Sequence, residues 1–204
     1  MSTSSLRPMR KGGFVALSVI TCALALCDLL SGFFFYSYVQ SEGGLGVTLP
    51  ALEALVAPLL ALAAAVLLLI ATLSVQKSPK TSPLVAISLW AMALSVLATP
   101  IFYYQAIGSL RIAISVLVCA VLITAGILSV NQLRAAAMSF VVLGVGAAYA
   151  IYLFIDLFPL AQLLWQRGAI LSVVGNVVTC LLPLLFCATA ALLELCKDRL
   201  ATKE

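Results

Sequence analysis

The residue whose chemistry stands out first is Asp28, an acid inside the apolar segment 13–38. As a helix the segment is roughly 39 Å long, enough to cross a bilayer, and Asp28 lies slightly past its middle. A charged group at that depth is costly, so it needs a partner or a role. Two interpretations stay open: a functional carboxyl that relays a proton or cation, and a structural carboxyl hydrogen-bonded between helices. We expect Asn176, at comparable depth, to be its polar partner.

Small and polar residues accompany Asp28 at steps of three and four along the same segment. They are Ser18, Thr21, Cys22, Ala25 and Gly32. This spacing puts them on one face of a helix and leaves Leu, Ile, Val and Phe on the other faces. We therefore expect the polar stripe to face protein and the remaining surface to face lipid.

A second set of candidate residues lies in segment 137–160, where Tyr149, Tyr152 and Asp156 follow each other at steps of three and four. With charged groups from other segments they could line an outward-facing pocket with aromatic walls. The alternative is an asymmetric interfacial aromatic belt with ordinary loop charges. The candidate substrate-binding residues are Asp28, Tyr103, Arg111, Tyr149, Tyr152, Asp156 and Asn176, with Glu53 and Arg167 as further charged groups.

Composition identifies the kind of molecule that must position these residues. The chain has 64% hydrophobic and 9% charged residues, whereas soluble domains have about 45–50% and about 25%. We predict an all-α, polytopic integral membrane protein, a single bundle of six transmembrane helices. The predicted spans are 13–38, 49–75, 84–104, 112–130, 137–160 and 168–195. Pro159 is expected to mark the end of the fifth span, and Arg111 to lie in the loop before the fourth.

The basic residues predict the orientation of the bundle. Nine of the eleven fall on one side: Arg7, Arg10, Lys11, Lys77, Lys80, Arg134, Lys197, Arg199 and Lys203. Only Arg111 and Arg167 fall on the other side. The positive-inside rule then puts the basic segment 1–12 and the tail 196–204 in the cytoplasm, with the protein in the plasma (cell inner) membrane. The net charge of +4 therefore reflects topology, and we expect no nucleic-acid partner.

Several kinds of chemistry have little support in the sequence. The chain contains no histidine, the commonest metal and haem ligand and the usual general base, so we expect no metal and no cofactor. No nucleotide-binding loop or nucleophile elbow occurs. A membrane thiol oxidoreductase would need an exposed cysteine pair near the outer surface, and the sequence has none there. We expect no enzymatic activity.

In length and number of spans the chain is similar to the vitamin-binding subunits of energy-coupling-factor transporters, a resemblance of size and layout without shared motifs. That resemblance implies partner membrane subunits and ATPases. We expect a small transport component that binds a small molecule from the outer side of the membrane. The alternative is a non-transporting accessory or assembly subunit, whose small residues, such as Gly144 and Ala148, pack against a larger complex.

Overall fold

The structure, a computed structural model, describes residues 11–43, 49–75, 82–103, 108–131, 136–166 and 170–201. They form six helices and no other regular element. The helices are α1 (Lys11–Gly43), α2 (Leu49–Val75), α3 (Ser82–Tyr103), α4 (Ser109–Val130), α5 (Ala136–Gln166) and α6 (Ile170–Ala201). Each contains a stretch long and apolar enough to cross a membrane, so the expected all-α, six-helix membrane protein is confirmed.

Two helix boundaries differ from the expected ones in a way that affects the position of candidate residues. Helix α4 begins at Ser109, so Arg111 lies in its first turn and not in a loop. Helix α5 continues past Pro159 to Gln166, because the ring of a proline removes one hydrogen bond without forcing a helix to end. Arg111 and the distal part of α5 are therefore held on helical backbone.

The helices form a closed ring. Each packs against the next in chain order, α6 packs against α1, and α2 also touches α6; the contact between α4 and α5 is the smallest around the ring. The connections between helices have three to six residues and reach at most about 25 Å. Two successive parallel helices would need a connection as long as a helix, and the shortest helices are roughly 33 Å long. Successive helices therefore run antiparallel. We call the end where α1 begins and α6 ends the termini end, and the opposite one the far end.

Buried hydroxyl groups tie the helices together in the half near the termini. The Ser18 Oγ lies 2.9 Å from the Thr72 Oγ1, and Thr72 donates its only proton to the carbonyl of Leu68, so Ser18 is the donor between α1 and α2. Thr21 and Thr189 also meet, 3.4 Å apart, between α1 and α6. All four side chains are buried. Because hydrocarbon offers no hydrogen bonds, such groups must be satisfied inside the bundle.

The predicted polar stripe of α1 faces protein. Ser18, Thr21 and Ala25 are fully buried, while Ile20 and Leu30 are each 50% exposed on the opposite side. Large apolar side chains are exposed in the same way on all the other helices. This surface makes the contact with lipid, and the helical period seen in the sequence is what separates it from the interior.

Candidate functional site

The first group of candidate residues is an ion pair between α4 and α5. The Arg111 Nη1 donates to Asp156 Oδ2 at 2.9 Å. The side chains are 25% and 33% exposed, so the pair lies at an accessible margin and not in the core. Arg111 is the third residue of α4, and Asp156 lies in the distal third of α5, which puts the pair in the far half of the bundle.

Tyrosine side chains extend this group along α5. Tyr152 precedes Asp156 by one turn, is half-buried, and lies close enough to both Asp156 and Arg111 to interact with them electrostatically. Tyr149 shares this face of α5 but is 6% exposed and belongs to the packed core. The structure thus brings together Arg111, Tyr152 and Asp156, three residues that lie on two different predicted spans or their loops.

A fourth residue of the group is Ser115, which the sequence did not single out. It lies one turn after Arg111 on the same face of α4 and is fully buried. Among the described residues its hydroxyl has no hydrogen-bond partner, and the Nε atom of Arg111 is likewise buried without one. The signal in the sequence is weak. Ser115 shares one side of the fourth span with Cys119, Gly126 and Ser129, and it follows an arginine by four residues, a spacing too common to be diagnostic. We call Arg111, Ser115, Tyr152 and Asp156 the far-end cluster.

Asp28 meets α6 at a different point. The Thr179 Oγ1 donates to Asp28 Oδ1 at 2.6 Å and also lies 3.0 Å from the carbonyl oxygen of Gly175. One hydroxyl proton serves one acceptor at a time, so the two oxygens compete for it. A Cβ on Gly175 would collide with the Ser31 side chain, which shows how closely α1 and α6 approach here. Asp28 therefore faces protein, in contact with Thr179.

Asn176 is not the donor to Asp28. Its Nδ2 atom is buried with no partner from any described residue, at a cleft of about 30 Å³ between α5 and α6. The cleft is otherwise lined by Phe154, Leu157, Phe158, Ala161, Val177 and Cys180. That volume suits a single water molecule or methyl group, well below the several hundred Å³ of a typical ligand pocket. The Asn176 cleft and the far-end cluster lie on opposite faces of α5.

The aromatic residues of the far half divide between the two surfaces of the bundle. The Phe33, Phe34, Phe154, Phe158 and Trp165 rings are more than half exposed. By contrast, Tyr36, Tyr149 and Tyr152 are buried or half-buried. The exposed rings match the interfacial belt, and of these three tyrosines Tyr152 is the one beside Arg111 and Asp156.

Three candidate side chains lie outside the described part of the structure. Tyr103 is the last residue of α3 and Glu53 lies near the start of α2, but their side chains are not described, and Arg167 falls between α5 and α6. The described residues contain no group of three or more metal-ligating side chains.

The far-end cluster combines a cation, an anion, a phenol and a hydroxyl on two helices that contact each other sparsely. Such a set can bind and orient a polar molecule by charge and hydrogen bonds. Comparison with protein-family models, with curated proteins and with solved structures finds no match for the chain. The function must therefore be inferred from the residues themselves.

Proposed function

We propose that the protein is a small membrane transport component that binds a small molecule at the far-end cluster, from the outer side of the membrane. One observation carries this proposal. Within the described residues, three buried polar side-chain atoms lack a partner, and all three lie in the far half. Two of them, on Arg111 and Ser115, belong to the far-end cluster, and the third, on Asn176, lies at the separate cleft. Buried polar groups are normally paired, and unpaired ones concentrate where a ligand or water completes them.

The orientation of the site belongs to the same proposal. Nine of eleven basic residues fall in segments at the termini end, and the positive-inside rule puts that end in the cytoplasm of a plasma membrane. The far end then faces outward, as uptake from outside requires. The proposed role is binding without chemical conversion of the ligand.

The test is native mass spectrometry of protein extracted gently from its membrane. We expect a small molecule to remain bound to the native chain and to be lost in Tyr152→Ala. Phe154→Ala is the matched control, because it removes a neighbouring aromatic ring that faces lipid and should keep the ligand. The same ligand should raise the unfolding temperature of the native protein and not of Tyr152→Ala. Equal ligand retention in both variants would refute the site.

An accessory role in a larger membrane complex is the second candidate, and one observation favours it. Gly144 and Ala148 are exposed on α5 at a spacing of four, and a Cβ at Gly144 would meet nothing within 4 Å. Small residues on a lipid-facing surface allow a helix of another protein to approach closely. Stoichiometric copurification with a larger partner, lost in Gly144→Leu, would support this role.

A further inference from the structure

The serine and threonine side chains buried in the described structure follow a rule with one exception. Eight are buried: Ser18, Thr21, Thr72, Ser88, Ser95, Ser115, Ser129 and Thr189. Seven of them hydrogen-bond, either to a carbonyl three or four residues earlier in the helix or to a group on another helix. Ser115, fully buried, does neither. Its hydroxyl is a donor held where the described protein supplies no acceptor.

Arg111 offers a second uncommitted donor one turn away. Its Nη1 atom bonds to Asp156, but its Nε atom is buried with no partner in the part of the chain that the structure describes. In a guanidinium group the Nε–H points parallel to one Nη2–H, and this edge matches the two oxygens of a carboxylate or phosphate. The contact of Nη1 with Asp156 therefore leaves the Nε donor of this edge without a partner among the described residues.

The start of α4 adds to the positive electrostatic potential that Arg111 creates at the far-end cluster. The residue before the helix is Gly108, which has no side chain to cap the first amide groups. The amides of Arg111 and Ile112 both point to the Gly108 carbonyl, and the first amides of any helix have no acceptor within that helix. Amide groups at a helix start favour an anion, as the positive charge of Arg111 does.

We infer that the ligand of the far-end cluster carries an oxyanion, a carboxylate or phosphate, that binds the Nε edge of Arg111 and accepts a hydrogen bond from Ser115. This inference rests on the proposed binding function. Asp156 is then an internal competitor, a carboxylate that holds Arg111 in place while the site is empty. The oxyanion belongs either to a solute that enters from the far end or to the head group of an anionic lipid.

The test uses ¹⁹F NMR of 4-fluorobenzoate, with 4-fluorobenzamide as a neutral probe of the same shape, on protein in a zwitterionic detergent. We expect the native chain to broaden the benzoate signal and not the benzamide signal. Arg111→Lys keeps the charge and removes the Nε donor, so binding should weaken about tenfold. Ser115→Ala should weaken it about threefold, by loss of one hydrogen bond. Asp156→Asn should strengthen binding, a result that a purely structural ion pair would not produce.

Thr124→Ala is the control on the same helix, because Thr124 is exposed and its hydroxyl already bonds to the Ala120 carbonyl. It should bind the probe like the native chain. Nanodiscs of phosphatidylglycerol and of phosphatidylcholine separate the two sources of the oxyanion. Loss of the benzoate response in phosphatidylglycerol alone identifies a lipid head group, and an equal response in both lipids identifies a solute.

Four outcomes overturn the inference, and they bear differently on the proposed function. A benzamide response equal to the benzoate response, or unchanged binding in folded Arg111→Lys, refutes oxyanion recognition. If a neutral molecule copurifies with the protein and is lost in Tyr152→Ala but kept in Arg111→Lys, the oxyanion class is wrong and the binding function stands. If no copurified molecule and no probe binding are found in folded protein, both are wrong.

Discussion

At the scale of single residues, the structure gives the two candidate acids, Asp28 and Asp156, different surroundings. Asp28 is placed between helices, where Thr179 donates to it at 2.6 Å, whereas the Arg111–Asp156 pair lies at an accessible margin beside unpartnered donors. Contact with a neighbouring helix favours the structural interpretation of Asp28. The hydrogen-bond donors of Arg111 and Ser115, which no described residue uses, favour the far-end cluster as the binding site.

The role of Asp28 can be tested by comparing two substitutions. Asp28→Asn keeps a hydrogen-bonding group that can donate to Thr179, which frees the Thr179 hydroxyl for the Gly175 carbonyl. We expect it to retain the stability of the native chain. Asp28→Leu loses the bond and should cost about 1 kcal/mol, because hydrogen bonds between membrane helices contribute roughly 0.6 and at most about 1.7 kcal/mol. The measurement is the free energy of unfolding in mixed micelles.

Thr179→Val is the partner variant for a double-mutant cycle. If the two side chains act together, Asp28→Leu combined with Thr179→Val should cost less than the sum of the single changes. Loss of transport in a stable Asp28→Asn protein would instead show that the charge of Asp28 is functional, as a proton or cation relay requires.

At the scale of helices, the hydrophobic period predicted the number of elements and the inward face of α1, but not the partner of each inward residue. Asn176 and Thr179 share one face of α6, a turn apart, and both match the depth of Asp28. The tight approach of α1 and α6 at Gly175 decides between them, and that approach depends on tertiary packing. The Ser115 hydroxyl was unpredictable for the same reason, because an absent partner leaves no pattern in the sequence.

Helix packing can be tested at two glycines of α5 that are two residues apart. A Cβ at Gly146 would come within 2.5 Å of the Cβ and 2.8 Å of the Sγ of Cys187 on α6, which is buried. Gly146→Ala should therefore destabilise the bundle by about 1–3 kcal/mol through overpacking.

Gly144→Ala is the matched control for that substitution, because a Cβ at Gly144 meets nothing within 4 Å. It should leave stability unchanged or raise it by about 0.5–1 kcal/mol, since alanine restricts the unfolded chain more than glycine does. Thermal unfolding in one detergent compares the pair. Equal destabilisation by both changes would mean that α5 and α6 do not pack as the structure shows.

At the scale of the whole molecule, the two halves of the bundle differ in how completely their polar groups are paired. Near the termini end, Ser18 bonds with Thr72, and Ser129 donates to Glu194 at 2.7 Å, which joins α4 to α6. In the far half lie the unpartnered atoms of Arg111, Ser115 and Asn176, together with the exposed ion pair. A bundle tied by buried bonds at one end and polar but incompletely paired at the other is suited to bind from the far end.

Whether the far end faces outward can be measured with single cysteines at two exposed positions. Gly108 precedes α4 at the far end and Asn131 follows it at the termini end. The distribution of basic residues predicts that Gly108→Cys reacts with a membrane-impermeant maleimide on intact cells, and that Asn131→Cys reacts only after permeabilisation. The native chain is the control for its own six cysteines.

The reverse labelling pattern would keep the far-end cluster as a binding site but would put it on the cytoplasmic side, so that it would receive a ligand from inside the cell. Labelling of both positions on intact cells would be incompatible with α4 crossing the membrane. It would also be incompatible with the antiparallel ring of helices. Because Arg111 lies three residues after Gly108, in the first turn of α4, the Gly108 result also identifies the side from which an oxyanion must approach.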